Sequence, residues 1–102
     1  MGKLFNLDPD RFGSKAEEAE ELLKSLANKE RLVVVSALVS GEMSIQQLFD
    51  VVPLNQACVV QHLETLSQEG LLSERLDSET AYYSLTNPNL EHIIATLYRI
   101  FG

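Results

Sequence analysis

Apolar residues return every three or four positions through most of this chain, the spacing that lines one side of an α-helix. Ala16, Ala19, Leu22, Leu23 and Leu26 form one such stripe, and Ser14 with Glu17 three residues later has the form of a capping box at its start. Asn28 is placed to end that helix and cap the next, in which Leu32, Val33, Val34, Val35, Ala37, Leu38 and Val39 are apolar on nearly every side. A helix of that kind is central, covered by neighbours or by a partner, and its β-branched run depends on packing more than on propensity. Gly41 supplies the stop. The stretch Ser44 to Gly70 then holds two helical patterns with a break at Asp50 to Pro53. Ser44 and Gln47 make a second capping box, while Pro53 lacks a backbone donor and turns Val52 away from the helical region. Asn55 caps a longer helix with Val59, Leu63 and Leu66 inward, and Gly70 ends it. A short helix, a tight turn and a longer helix make a helix-turn-helix, whose second helix is of the kind that lies in a DNA major groove.

Beyond Gly70 the period changes. Leu71, Leu72 and Leu76, then Tyr82, Tyr83 and Leu85, flank turn formers at Asp77 to Glu79, which reads as a β-hairpin. Two strands alone are marginal, so one face should pack against the helices. Asn87 and Pro88 open a last helix in which Leu90, Ile93, Ile94, Leu97, Ile100 and Phe101 repeat at three and four. The expected architecture is mainly α with a β-hairpin wing: a winged helix-turn-helix of five helices over residues 14–102, preceded by an arm at 1–13. The arm carries Leu4, Phe5, Leu7 and Phe12 among turn residues, and Phe5 and Phe12 read as packing it onto the body or onto a second subunit. The C-terminal stripe is too apolar to be left in water. Together with the Ser14 helix it is expected to build a two-fold homodimer surface from Leu22, Leu26, Ile93, Ile94, Leu97, Ile100 and Phe101.

Composition alters this picture in one respect. A chain of 102 residues with 45% apolar content is one ordinary globular domain. No apolar run has the length needed to cross a bilayer, and MGKLFNLDPDRFG lacks the h-region of a signal peptide, so the expected location is the cytoplasm, with no membrane partner. The formal charge of −7, from fifteen acids against eight bases, opposes a phosphate backbone at long range. Between Arg31 and Arg75 there is no Lys or Arg, while Glu42, Asp50, Glu64, Glu69 and Glu74 lie in that interval. The counterion-releasing contacts that drive DNA affinity must therefore come from Arg11, Lys15, Lys24, Lys29, Arg31 and Arg75, or from helix N-termini and backbone donors.

The stretches LLKSLANKERLVVVSALVSGEMSIQQL, LNQACVVQHLETLSQEGLL and AYYSL resemble the ArsR family of winged-helix repressors, small dimeric bacterial DNA-binding proteins that respond to metals, metalloids or redox species. The resemblance runs from about Glu21 to Leu85 and is nearest to the branch with redox-active cysteines. It implies double-stranded DNA as partner, groove contacts from Asn55, Gln56, Ala57, Val60, Gln61 and His62, and an approach of Arg75 in the wing to the minor groove or its phosphates. Gln56 and Gln61 carry amides that donate and accept together, most naturally toward adenine, although exposed amides are also ordinary on any helix. Val60 stands where the family has Ser, and is expected to face outward, toward a thymine methyl or a protein. Past His62, where the family places bases, the chain has Glu64, Ser67, Gln68 and Glu69.

The signal-sensing chemistry of the family is not carried over. Its recognition-region metal site needs paired cysteines where this chain has EMSIQQL. Glu91 and His92 are adjacent, point to different azimuths and have no second histidine at helical spacing, so neither a metal nor another cofactor is expected. The redox relatives have cysteines in the second helix and near the C-terminus, where this chain reads VVVSALV and YRIFG. The lone Cys58 lies near the start of the recognition helix. It is either a redox-sensitive thiol favoured by the helix N-terminus or a packing residue beside Leu54 and Val59. His62 reads as a partly buried, hydrogen-bonded ring.

Two functions remain in view. The first is a dimeric DNA-binding transcriptional regulator, a repressor of the ArsR type. The second is an acidic winged-helix module with lost or weakened DNA binding, whose partner is another regulatory protein. An enzyme is not expected, since no nucleophile, base and orienting group fall into a recognisable arrangement.

Overall fold

The computed structural model describes residues 8–102, in the order α1 (Pro9–Gly13), α2 (Ala16–Leu26), α3 (Lys29–Ala37), β1 (Met43–Ser44), α4 (Ile45–Val51), α5 (Gln56–Gln68), β2 (Leu72–Asp77), β3 (Thr80–Leu85) and α6 (Pro88–Phe101). The arm residues Leu4, Phe5 and Leu7 lie outside the described residues. The winged helix-turn-helix is present, with six helices where five were expected.

The additional helix, α1, is a single turn inside the expected arm. Asp8 caps it by accepting from the backbone N–H groups of Asp10 and Arg11, and Pro9 occupies its first turn. Its presence removes the expected capping box at Ser14. The Ser14 hydroxyl instead donates to the carbonyl of Arg11 at 2.8 Å, satisfying the end of α1, and α2 begins at Ala16 without a side-chain cap.

The other helix starts follow local chemistry. Asn28 accepts from Glu30 and Arg31 at the head of α3, and Asn87 accepts from Asn89 at the head of α6. Ser44 and Gln47 form the reciprocal capping box of α4, with contacts of 2.9 and 3.1 Å. At the far end of α5, Gly70 adopts a φ of +81°, open to glycine at little cost. The N–H of Gly70 then reaches the Ser67 carbonyl and that of Leu71 the Leu66 carbonyl, a Schellman closure that turns the chain into the wing.

One core joins these elements. Val34, Val35 and Leu38 of the α3 segment, Leu48 of α4, Val59, Leu63 and Leu66 of α5, and Leu90 of α6 are all at most 1% exposed. Leu26, Val52, Leu72, Tyr83 and Ile94 close its margins. The hairpin contributes one buried side chain per strand, Leu72 and Tyr83, which is how two strands become stable on a helical body. The sheet also has a third strand that no period announced. Met43 and Ser44 pair antiparallel with Tyr83 and Tyr82, giving the order β1-β3-β2. Ser44 thus belongs to the sheet through its backbone and caps α4 through its hydroxyl.

Candidate nucleic-acid interface

The reading unit is α4, the turn through Pro53, and α5. Asn55 accepts from the N–H of Cys58 at 2.8 Å and so fixes where α5 begins. From there Val59, Leu63 and Leu66 anchor one side in the core, which forces the opposite side outward. That outward side carries Gln56, Ala57, Gln61, Glu64 and Gln68, all exposed. Of the expected groove contacts, Asn55, Gln56, Ala57 and Gln61 are therefore presented together. Over its first two turns this face bears amides and a methyl group, and the first formal charge on it is Glu64.

Two expected groove contacts and the candidate thiol are half-buried. Val60 is half-buried on the flank of α5, because its azimuth falls next to the core residue Val59 and not on the outer stripe. The His62 ring is also half-buried and directed at α3, with Nε2 at 3.6 Å from Glu30 Oε1. It bridges helices where a groove contact was expected. Cys58 is half-buried, and its own N–H is taken by the Asn55 cap. Among the described residues no group of three or more His, Cys, Asp or Glu side chains is arranged to hold a metal ion.

Arg75 is the largest departure. Its Nε lies 3.0 Å from Glu42 Oε2 and its Nη2 2.7 Å from Glu42 Oε1, a two-pronged pair that ties the wing to the segment before β1. Nη1 stands 3.8 Å from Asp77, and the guanidinium lies over the Tyr82 ring at 4.5 Å from its centroid. The Arg75 hydrogen bond holds the Glu42 carboxyl below the ordinary glutamate range, and the same bond raises Arg75. Arg31 is committed too. Its Nη1 lies 3.0 Å from a Glu69 oxygen and 3.1 Å from the Ser25 carbonyl, so it ties α2, α3 and the end of α5 together. Lys15 and Lys24 pair loosely with Glu18 and Glu20 on the exposed side of α2. Lys29 and Arg11 have no carboxylate partner among the described residues. Glu42 and Tyr82 are the functional neighbours that the sequence did not single out. The first is 33 positions from the arginine it binds, and only the pairing of β1 with β3 brings it there.

A second surface lies on the outer helices. Phe12, Leu23, Tyr98, Ile100 and Phe101 are between 60% and 83% exposed. Between α3 and α6 an apolar groove of about 400 Å³ is bounded by Leu32, Val33, Ile94, Leu97, Tyr98 and Phe101. Leu26 and Ile94, expected at a dimer surface, are instead 4% and 5% exposed and belong to the chain's own core. The bare apolar residues on these helices are Leu23 of α2 and Tyr98, Ile100 and Phe101 of α6, the last two among those expected at that surface.

Comparison with known proteins agrees with this geometry. The profile of the family described as bacterial regulatory protein, arsR family, matches residues 28–74, which run from the cap of α3 into the wing. The nodulation protein NolR of Rhizobium meliloti is 37% identical over 96 residues, covering 94% of this chain and 78% of NolR. The transcriptional activator HlyU of Vibrio cholerae is 32% identical over 84 residues, covering 82% of this chain and 78% of HlyU. Among solved structures, the transcriptional repressor BigR from Xylella fastidiosa superimposes with a TM-score of 0.87 at 29% identity, over 94% of this chain and 98% of that one. HlyU from Vibrio vulnificus does so with a TM-score of 0.82 at 28% identity, over 94% and 100%. With helix-turn-helix, wing and sequence all in agreement over nearly its whole length, the chain belongs to the ArsR family of bacterial regulatory proteins.

Proposed function

We propose that this protein is a transcriptional repressor that binds duplex DNA as a two-fold dimer, with α5 of each protomer in a major groove. The observation that carries the reading is the two-sided character of α5. Its inner side is locked by Val59, Leu63 and Leu66, and its outer side offers the exposed side chains of Gln56, Ala57 and Gln61. Each amide can donate to and accept from an adenine edge, while Ala57 suits a thymine methyl. The fixed N-terminus of α5 brings backbone donors and a partial positive charge toward phosphate, which matters in a reading unit short of cations.

The dimer reading rests on the bare apolar faces of α2 and α6. Leu23, Tyr98, Ile100 and Phe101 leave an apolar area that a second copy would cover, and a second copy would supply the second recognition helix of a palindromic site. Several of the relatives, such as the biofilm growth-associated repressor of Xylella fastidiosa, have repression in their names. Blocking a promoter requires only the bound form.

Selection from a random duplex pool, followed by mobility shift at low and physiological salt, tests the reading. A palindromic site with half-sites about one helical turn apart is the expected result. Failure to retain any duplex at low salt would overturn it. The acidic module that binds protein alone gains no support from relatives such as NolR, HlyU and the biofilm growth-associated repressor.

A further inference from the structure

We propose that Glu42 is an affinity-limiting residue, which holds the wing arginine Arg75 in an internal pair that DNA phosphate must displace. The inference rests on the DNA-binding reading above and adds a residue that sets how tightly the duplex is held.

The geometry makes Glu42 a phosphate mimic. Both of its oxygens face the Nε and Nη2 edge of Arg75, the same edge that a phosphate takes in a two-pronged contact. Asp77 flanks the remaining side at 3.8 Å, so one cation sits between two carboxylates and this part of the wing is net negative. Glu42 is not on a loose tether. It immediately precedes β1, whose Met43 is paired with Tyr83 of β3, while Arg75 is paired across the hairpin with Tyr82 and rests on that ring. Carboxylate and guanidinium are thus indexed to the two outer strands, β1 and β2, that flank β3 in one sheet.

A phosphate arriving at the wing can take the Nε and Nη2 edge of Arg75 only by replacing Glu42, and the released carboxylate then stands beside a phosphate of the same sign. Arg75 therefore yields little net attraction while Glu42 is charged. Removal of that charge without removal of the side chain frees the fork for DNA.

The experiment compares wild type, Glu42→Gln, Arg75→Gln and the double variant. The probe is the duplex recovered by selection, together with a random-sequence duplex of equal length. A same-charge control, Glu79→Gln, lies at the wing tip. At about 0.1 M salt, Glu42→Gln should bind about three- to tenfold more tightly than wild type, and its salt dependence should steepen by about one to two ions per dimer. In the Arg75→Gln background the Glu42→Gln gain should vanish, whereas the smaller long-range gain of Glu79→Gln should persist. Equal or weaker binding by Glu42→Gln overturns the proposal, and so does an undiminished gain in the Arg75→Gln background, which would reduce Glu42 to one negative charge among many. A measurement without DNA separates this failure from failure of the DNA-binding reading. The Arg75 Nε–H resonance should be slow to exchange in wild type and fast in Glu42→Gln. Fast exchange in both overturns the pair even if both proteins bind DNA. Absence of duplex binding by all variants overturns both readings.

Discussion

The helices α5 and α6 are built alike and used in opposite ways. Each is about the same length, 13 and 14 residues, each is capped by an asparagine, and each buries one stripe in the common core. They differ in what faces outward. On α5 that side is polar and almost uncharged, with Gln56 and Gln61 in front; on α6 the last turns leave three large apolar side chains bare, Tyr98, Ile100 and Phe101. Water tolerates the first and penalises the second. Polar outer residues suit a partner met and left repeatedly, as DNA is, whereas apolar ones suit a partner kept. Protomer stability and assembly should therefore fail separately, through different residues.

The strongest blow to the comparison falls on the side the two helices share. Leu63→Ala removes a fully buried side chain from the centre of α5, and the protomer should lose about 2–5 kcal/mol in denaturant unfolding. If the loss is below 1 kcal/mol, the inner side of α5 is not the anchor described. On the outside of α6, Tyr98→Asp with Phe101→Asp should weaken self-association by about a hundredfold or more in sedimentation. Protomer far-ultraviolet circular dichroism should stay unchanged, because both rings are more than 70% exposed. On the outside of α5, Gln61→Ala should reduce affinity for the selected duplex by about tenfold, with no change in melting temperature beyond a degree or two. An effect on both would blur the division between the two sides.

The smallest expected effect at neutral pH concerns the wing. Burial, reinforced by the 2.7 Å hydrogen bond to Glu74, pushes the Tyr83 phenol up to about 12. A raised tyrosine favours the folded state while it is neutral. The contribution is complete below the ordinary tyrosine range near 10 and is lost as pH climbs toward 12. A tyrosinate absorbance titration should show one of the three tyrosines ionising late, together with loss of the fold. In Tyr83→Phe that late step should be missing.

Local chemistry was legible in the sequence, and pairing between distant residues was not. Asn28, Ser44, Asn55 and Asn87 each announce a helix start through a side chain that acts within three residues of itself, and each does so in the structure. The same code was present in Asp8 and Pro9, where a one-turn helix is too short to show any period. β1 escaped for a similar reason, since two residues cannot alternate. The stripe on α6 revealed an apolar helix, but not which part of that wide stripe its own chain would cover; hence Ile94 went inward and Tyr98 stayed bare. The partners of Arg31 and Arg75 are 38 and 33 positions away, and no spacing rule connects them. Charge counting found the shortage of cations around the reading unit. It could not find that two of the nearest were already held by carboxylates.

Ser44 has a consequence for how the protein meets its target. Because a single residue lies in the paired register of the sheet and also starts the helix ahead of the reading helix, hairpin and helix pair are joined through it directly. The offset between what enters one groove and what straddles the next is thereby a built-in gauge. In the proposed complex a duplex whose groove dimensions differ from that gauge would have to deform, and the local stiffness of the DNA would then enter what the protein discriminates.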